Sequence, residues 1–204
     1  MDHREFFEKA APSWNEICSR SFILMKIIGA AEIQAGDRVL DIGSGTGILL
    51  PLLQREVGEE PKVVALDIAF NMLKLAAQRQ NAIFHWIQGD AHALPLKDGS
   101  LDKVVCYSCF PHFLRKVNAL AELARCLKES GRILIAHSQS REAINAMHKE
   151  IGGVVADDVI PEEAEMRKIM RDAGFTSITV LDERDVYLAA GMKEDAGIEG
   201  GRTG

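Results

Sequence analysis

The sequence has neither a long apolar run nor an excess of positive charge. No stretch approaches the roughly 20 apolar residues that a membrane-spanning helix needs, so we expect no membrane span. The chain carries 24 Lys and Arg residues against 30 Asp and Glu residues, which gives a formal net charge of −6. Because nucleic-acid-binding proteins carry a basic surface, this balance argues against a nucleic-acid partner.

Cysteine is also scarce, and the first residues do not resemble an export signal. There are four cysteines in 204 residues. Residues 1–5, MDHRE, lack the apolar core of a secretory signal. We therefore expect a cytoplasmic protein whose cysteines are free thiols. The length suits one domain with its own hydrophobic core.

Residues 39–47, VLDIGSGTG, are the most informative stretch that is present. Residues 39–42 suit a buried strand, and Gly43, Gly45 and Gly47 suit a tight loop where backbone approaches a ligand. The apolar residues that follow predict a helix with Pro51 in its first turn, where proline is tolerated. Strand, glycine loop and helix in this order are typical of a nucleotide-like cofactor site in an open α/β sheet.

Strand and helix patterns alternate along most of the chain. Two further helices and two strands joined by a short turn follow the alternating part. This order predicts an α/β fold, with a doubly wound, mostly parallel Rossmann-like sheet of about seven strands, an antiparallel last strand and helices on both faces. The predicted strands are 38–42, 63–67, 83–88, 101–107, 132–137, 177–181 and 185–190, and the predicted helices are 47–56, 70–80, 117–128, 142–150 and 162–173.

The spacing of the three glycines helps to distinguish between classes of cofactor. The dinucleotide fingerprint is G-x-G-x-x-G, whereas here Ile48 stands where its third glycine would be. Asp41, just before the loop, would repel a pyrophosphate but attract a sulfonium or an ammonium group. The loop thus favours a cationic adenosyl ligand over NAD. Asp67, at the end of the second predicted strand, could accept both ribose hydroxyls of either cofactor.

A further segment, GDAHALPLKDGSLD at 89–102, completes a set of four motifs. With VLDIGSGTG at 39–47, ALD at 65–67 and RCLKESGRILI at 125–135, the chain resembles the class I S-adenosylmethionine-dependent methyltransferases. It is similar in particular to the small single-domain group that includes the ubiquinone/menaquinone C-methyltransferases. The motifs occur in the family's order and span about half of the chain. The resemblance implies S-adenosylmethionine as the cofactor.

In such enzymes the glycine loop passes under the methionine part of the cofactor. The resemblance implies that Asp41 helps to hold this loop and the ammonium group. It also implies that Tyr107, leaving the fourth predicted strand, lies near the methyl group. The loop residues concerned are Gly43, Ser44, Gly45, Thr46 and Gly47.

The adenosine part of the cofactor is expected at the ends of the second and third strands. The resemblance implies that Asp67 binds the ribose and that Ile68 packs on adenine. Asp90 would accept from the adenine amino group, and the Ala91 N–H would donate to a ring nitrogen. Taken singly, Asp67 and Asp90 could instead be helix N-caps.

The chemistry expected here needs few catalytic groups. Methyl transfer from a sulfonium is an in-line displacement with an activated leaving group, so the protein mainly aligns and desolvates the nucleophile. A base is needed only if the acceptor must lose a proton, and the sequence contains no obvious catalytic dyad. His112 and His137 stand beyond the fourth and fifth strands, where such a sheet binds its substrate. With Tyr107, they are the candidate catalytic residues, as a general base or as substrate-orienting groups.

The same residues permit other interpretations. His112, His137 and His148 could gather a metal, and Cys106 and Cys109 with Cys18 could hold a soft metal or metalloid. All of them could also be structural, as histidines in loops and cysteines in a core. We assign no metal site from the sequence.

One face of the predicted helix at 142–150 is a candidate for contact with the acceptor. Arg141, Asn145 and His148 are spaced so that they share this face. The face could point into the pocket, because the family's substrate-specific parts lie beyond residue 137.

We predict a single domain over residues 1–191. Within it, 38–137 is the cofactor-binding core and 138–175 carries the substrate-side helices. Residues 192–204 are rich in glycine and charge without periodicity, which predicts a disordered tail.

The N-terminal segment, 4–28, is predicted as two helical pieces broken near Pro12. Phe6, Phe7 and Trp14 form an aromatic cluster there. In similar enzymes such helices fold over the cofactor as a lid and exclude water. Packing of an apolar helix stripe on the sheet is the alternative.

Together these expectations describe a cytoplasmic methyltransferase that uses S-adenosylmethionine and acts on a small-molecule acceptor. Two other classes remain as alternatives. One is a protein that binds S-adenosylmethionine or S-adenosylhomocysteine without turnover. The other is an NAD-dependent oxidoreductase on a similar sheet.

Overall fold

One seven-stranded sheet, in the order β3-β2-β1-β4-β5-β7-β6, forms the centre of the molecule. The computed structural model describes residues 1–11, 21–80 and 84–195. The strands are β1 (Val39–Ile42), β2 (Val63–Asp67), β3 (His85–Gln88), β4 (Leu101–Tyr107), β5 (Leu127–His137), β6 (Phe175–Glu183) and β7 (Val186–Lys193). The helices are α1 (His3–Ala10), α2 (Ser21–Ala31), α3 (Leu50–Val57), α4 (Phe70–Arg79), α5 (Lys116–Cys126), α6 (Arg141–Ile151) and α7 (Glu163–Asp172).

The pairing of the strands confirms the predicted architecture. Strand β1 pairs in parallel with β2 and with β4, β2 pairs with β3, and β4 pairs with β5. Strand β7 runs antiparallel to both of its neighbours, β5 and β6. The chain thus leaves β1 toward β2 on one side and returns as β4 on the other. Ligands of open α/β sheets bind at this switch point, beyond the carboxyl ends of the strands.

The core lies on both faces of the sheet, because the central strands are buried on both sides. All four residues of β1 are buried, which is typical of a parallel strand covered by helices. Helix α5 buries a helical stripe that includes Leu120 and Leu123, and this stripe packs in the same cluster as Ile133 and Ile135 of β5. On the opposite face, Ile27 of α2 packs with Leu50 and Leu53 of α3.

Helix α1 lies on the N-terminus of α4, across the carboxyl edge of the sheet. The Glu8 carboxylate accepts the backbone N–H groups of Phe70 and Asn71 at 2.7 and 2.8 Å. A side-chain carboxylate satisfies free N–H groups at a helix start and interacts favourably with the helix dipole. Ala11, after α1, packs with Ala69 and Met72. These contacts hold α1 above the loops that follow β1 and β2.

Several predicted boundaries differ from the structure. Helix α5 ends at Cys126, because Leu127 takes extended backbone and starts β5 by pairing with Leu101. Strand β5 therefore begins before the predicted residue 132. Strand β7 runs to Lys193, so the prediction that the disordered tail begins at residue 192 is wrong. Met192 pairs with both Arg132 and Thr176, which places it inside the sheet.

Some predictions fall outside the described residues. They concern the helix break near Pro12, the aromatic Trp14, the thiol of Cys18, the first residue of the predicted third strand and residues 196–204 of the predicted tail. Within the described ranges, no helix is long and apolar enough to cross a membrane.

Candidate active site

A cleft lies at the carboxyl edge of the sheet, over the ends of β1, β2 and β4. Its empty volume is about 1070 Å³, including space open to solvent. This is ample for a cofactor-sized ligand, since ligand pockets commonly measure about 300–1,000 Å³. Most residues predicted to bind the cofactor line it: Asp41, Gly43, Ser44, Gly45, Thr46, Asp67, Ile68, Asp90, Ala91 and Tyr107.

The glycine loop after β1 has the backbone that only glycine adopts easily. Gly43, Gly45 and Gly47 have φ values of 67°, 54° and 79°, in the left-handed region. A Cβ on Gly43 would lie 2.5 Å from Cβ of Cys109. Gly47 does not line the cleft; it allows close packing of the loop on Ala76 of α4, where an added Cβ would lie 3.1 Å from the Ala76 side chain. The loop is therefore fixed by sterics as well as by conformation.

Asp67 ties this loop to the end of β2. Its Oδ2 accepts the backbone N–H of Gly45 at 2.8 Å, and its Oδ1 accepts the N–H of Ala69 at 2.8 Å. The side chain is buried, and burial raises its pKa to about 6, although the two backbone N–H groups act in the opposite direction. Each carboxylate oxygen has two acceptor positions, so Asp67 can still accept from a ligand hydroxyl in the cleft.

Asp41 is a buried carboxyl group at the start of the glycine loop. Its side chain is buried, and its Oδ2 has no hydrogen-bond partner among the described residues. Burial, followed by repulsion from Asp67, raises its pKa to about 8. A buried carboxylate without a partner is costly unless a cation neutralises it. The cleft therefore favours a ligand with a positive group beside the glycine loop.

Asp90 lines the cleft just after β3, where it is held in a turn. Its Oδ1 accepts the backbone N–H of His92 at 2.9 Å and lies 2.6 Å from Nδ1 of the same residue. Burial raises the pKa of Asp90, but these two hydrogen bonds and the nearby charges of His92 and Arg115 together outweigh it, so the net shift of the pKa is downward. The carboxylate is thus ionised and preorganised beside Ile68 and Ala91, and it caps a turn rather than a helix.

His112 lies at the end of the cleft that is covered by α1. It ends a 3-10 turn, Phe110–His112, that follows β4. Its Nδ1 lies 2.7 Å from Oδ2 of Asp158, and its ring makes an edge contact with Phe7 of α1, with centroids 4.8 Å apart. Burial lowers the pKa of His112, although Asp158 opposes this. The imidazole is therefore neutral at pH 7 and oriented by a carboxylate.

Two residues of this region were missed by sequence reasoning. Nε2 of His3 lies 2.8 Å from the same Oδ2 of Asp158, although the two residues are 155 positions apart. Asp158 follows a second 3-10 turn, Gly153–Val155. Neither residue belongs to a motif or a periodic pattern, so no local signal could have found them. His112 and Asp158 together form a His–Asp pair that the sequence did not reveal.

The helix face with Arg141, Asn145 and His148 does not line the cleft. Asn145 exchanges two hydrogen bonds with the backbone of Ile160, at 3.0 and 2.8 Å. Nδ1 of His148 lies 2.6 Å from the backbone oxygen of Asp158, and Arg141 pairs with Glu162 at 2.8 Å. This face of α6 instead fixes the loop that carries Asp158.

His137 is not brought to the cleft. It ends β5 and is 1% exposed, because its partner on β7, Tyr187, covers it with ring centroids 6.3 Å apart. Its Nε2 has no partner among the described residues. Burial, reinforced by His112 and His148, lowers its pKa to about 3. The structure thus contradicts a substrate contact by His137, since the antiparallel β7 covers the side chain.

The two cysteines near the glycine loop form a thiol pair. Their Sγ atoms are 3.0 Å apart, and the Cys109 thiol donates to the backbone oxygen of Ile42 at 2.9 Å. Burial raises the pKa of Cys109 well above its usual value. The Cys109 thiol is therefore held in its neutral form, where it packs beside the glycine loop. Tyr107, the candidate that ends β4, lines the cleft and is buried.

Known proteins resemble both the sequence and the fold. A family model described as a methyltransferase domain matches residues 40–135. The ubiquinone/menaquinone biosynthesis C-methyltransferase UbiE of Salmonella paratyphi B is 29% identical over 179 residues, covering 74% of this chain and 71% of the relative. The range that the family model matches, 40–135, includes the glycine loop, Asp67, Asp90 and His112.

Two solved structures share the fold. A SAM-dependent methyltransferase from Aquifex aeolicus superposes with a TM-score of 0.71 and 23% identity, covering 94% of this chain and 99% of that one. Phosphoethanolamine N-methyltransferase 2 of Haemonchus contortus, solved with S-adenosyl-L-methionine, has a TM-score of 0.69 and 18% identity. Its match covers 84% of this chain and 52% of that one.

Proposed function

The chain belongs to the class I S-adenosylmethionine-dependent methyltransferases, and from this premise we propose that it methylates a small-molecule acceptor. Its cofactor is S-adenosylmethionine. The observation that carries the proposal is the buried carboxylate oxygen of Asp41 beside the glycine loop, which finds no hydrogen-bond partner within residues 1–11, 21–80 and 84–195. The cofactor has an ammonium group and a sulfonium, and a cation of that kind would compensate Asp41.

The proposed cofactor contacts follow the shape of the cleft. Backbone of the loop from Gly43 to Gly47 would lie against the methionine part, since most of this loop lines the cleft. Asp67 would accept from the ribose hydroxyls while it continues to hold the Gly45 N–H. Asp90, fixed by His92, would accept from the adenine amino group, with Ile68 packing on the ring.

The acceptor is proposed to bind between the glycine loop and α1. S-adenosylmethionine supplies a methyl group on an activated leaving group, so this chain needs to align the acceptor and exclude water. Phe7 and His3 of α1 line that end, together with Tyr107 at the end of β4 and His112 in the turn that follows. Because α1 covers it, the space suits a small molecule. We propose that His112 contacts the acceptor and that Asp158 orients the imidazole.

The cytoplasm is the proposed location. Cys106 and Cys109 are free although their Sγ atoms are only 3.0 Å apart. Free thiols at this spacing would persist only in a reducing compartment such as the cytoplasm.

Calorimetry and turnover test this function. We expect S-adenosylmethionine and S-adenosylhomocysteine to bind at one site per chain, and NAD not to bind. Incubation with a panel of phenols, quinols, hydroxy acids, amines and thiols should yield S-adenosylhomocysteine with at least one acceptor class. Binding of NAD instead of the adenosyl ligands would refute the cofactor assignment. Tight adenosyl binding without turnover on any acceptor would favour a non-catalytic binding protein.

A further inference from the structure

Three metal-ligating side chains meet at the acceptor end of the cleft, although they come from distant segments. His3 begins α1, His112 ends the turn after β4, and Asp158 lies in the loop after α6. Nε2 of His3 and Nδ1 of His112 lie 2.8 and 2.7 Å from one oxygen, Oδ2 of Asp158. One ligating atom from each residue lies within 4.8 Å of the other two.

We propose that His3, His112 and Asp158 bind a divalent first-row transition ion of the zinc type, with an open coordination position facing the acceptor. The proposal rests on the proposed function, because it concerns the same acceptor. Two imidazoles and one carboxylate are a ligand set that such ions take. Three protein ligands with one open position are typical of a catalytic rather than a structural zinc site. His3 and His112 both line the cleft, which provides that opening.

The surroundings hold these ligands in place. His148 lies 2.6 Å from the backbone oxygen of Asp158 through its Nδ1. Asn145 fixes Ile160 in the same loop by two hydrogen bonds. Glu8 anchors α1 on α4 and thereby positions His3. Outer contacts of this kind orient metal ligands and contribute to affinity.

One neighbouring charge weakens the site. The Lys116 ammonium donates to the backbone oxygens of Pro111 and Phe113 at 2.8 and 3.2 Å, and it interacts electrostatically with Asp158. A second positive charge nearby opposes cation binding. We therefore expect an ion that a chelator removes without unfolding the protein, unlike the ion of a closed structural site.

A metal here would assist deprotonation of the acceptor directly, at the oxygen that attacks the methyl group. An acceptor hydroxyl that fills the open position ionises more easily, because the cation stabilises its oxygen anion. Its proton passes to solvent, the bond from sulfur to the methyl group breaks, and the bond from oxygen to the methyl group forms. The inference thus names the acceptor class as one with an ionisable hydroxyl group.

Cobalt substitution tests the site without any acceptor. The full-length protein is stripped with chelator and titrated with Co²⁺ while visible absorption and heat are recorded. We expect one Co²⁺ per chain with ligand-field bands and no thiolate charge-transfer band. His112→Ala and His3→Ala should each weaken binding at least about tenfold, or about 1.4 kcal/mol. His85→Ala, at an exposed histidine of β3, is the matched control and should bind like the parent.

Three outcomes would overturn the proposal. The first is that the parent protein binds no stoichiometric Co²⁺ or Zn²⁺. The second is that both variants bind the ion as tightly as the parent does. The third is a thiolate charge-transfer band, which would assign the ion to cysteine. If His112→Ala does not fold, His3→Ala still decides, since His3 lies at the start of α1. Calorimetry of the stripped protein with S-adenosylmethionine tests the proposed function separately, so failure of the metal site leaves that result intact.

Discussion

The carboxylate of Asp67 accepts the backbone N–H of Gly45 at 2.8 Å, and this bond joins the end of β2 to the loop after β1. The two segments that would hold the ribose and the methionine parts of the cofactor are thus one hydrogen-bonded unit. A change at Asp67 is therefore expected to alter loop geometry and ribose contact together.

Asp67→Ala should lower both stability and cofactor affinity. The change leaves the buried N–H groups of Gly45 and Ala69 without acceptors, at a cost of about 1–3 kcal/mol for each group left unpaired. Thermal unfolding and calorimetry with S-adenosylmethionine measure the two effects. Asp172→Ala, an exposed aspartate at the end of α7, is the control and should change neither beyond a few tenths of a kcal/mol.

Gly43→Ala should abolish cofactor binding through sterics. The new Cβ would lie 2.5 Å from Cβ of Cys109, and the residue must also hold a φ of 67°. Gly99→Ala separates the strain of the positive φ from the contact with Cys109. Gly99 has a φ of 58°, but nothing lies within 4 Å of its Cβ position. The control should lose about 1–2 kcal/mol of unfolding free energy, and Gly43→Ala more. Equal losses in the two variants would show that the contact with Cys109 is unimportant.

Cofactor affinity should rise with pH between about 6 and 8. Burial raises the pKa of Asp41 to about 8 in the free protein, so folding favours its protonated form. Protonated Asp41 therefore contributes to the stability of the cofactor-free protein at acid pH. This contribution to the free energy of unfolding is lost as the pH rises through 8. A cationic ligand requires the ionised form, so its binding strengthens over the same range. Calorimetry at pH 6, 7 and 8 measures the slope, and Asp41→Asn should flatten it.

His137→Leu should leave turnover within a few-fold of the parent and improve stability at acid pH. Burial lowers the pKa of His137 to about 3, so the unfolded chain binds a proton that the folded protein excludes. Stability from this group is complete above pH 6.5 and falls as pH drops toward 3, by up to about 1.4 kcal/mol per pH unit. Denaturant unfolding at pH 7 and pH 5 tests this, with His85→Leu as the exposed control. A large loss of turnover would restore His137 as a catalytic residue.

Cofactor binding should protect α1 from hydrogen exchange. Glu8 connects α1 to the first turn of α4, directly after the segment that carries Asp67 and Ile68. We expect slower exchange in residues 3–10 when S-adenosylmethionine binds, and Glu8→Ala should remove this protection. Glu5→Ala, on the exposed side of α1, is the control. Unchanged exchange in the parent protein would show that α1 is fixed packing rather than a lid.

The sequence predicted the parts of the site that follow parallel strands. The glycine loop, Asp67 and Asp90 come directly after β1, β2 and β3, and the carboxyl ends of such strands meet at one edge. The cluster of His3, His112 and Asp158 could not be predicted, because its contacts cross 155 and 46 positions without a periodic signal. His137 was misplaced for a related reason: its burial depends on Tyr187 of β7, a partner that the pattern of β5 does not indicate.

Strand β7 carries a consequence for synthesis of the protein. It inserts between β5 and β6, so the hydrogen-bonding edge of β5 has no partner until residues 186–193 have left the ribosome. An open edge on a half-made parallel sheet is prone to pair with other chains. Completion of the fold therefore depends on a late, long-range pairing, which is intrinsically slow. Truncation before residue 186 is expected to give a nascent chain that needs chaperone protection rather than a stable smaller domain.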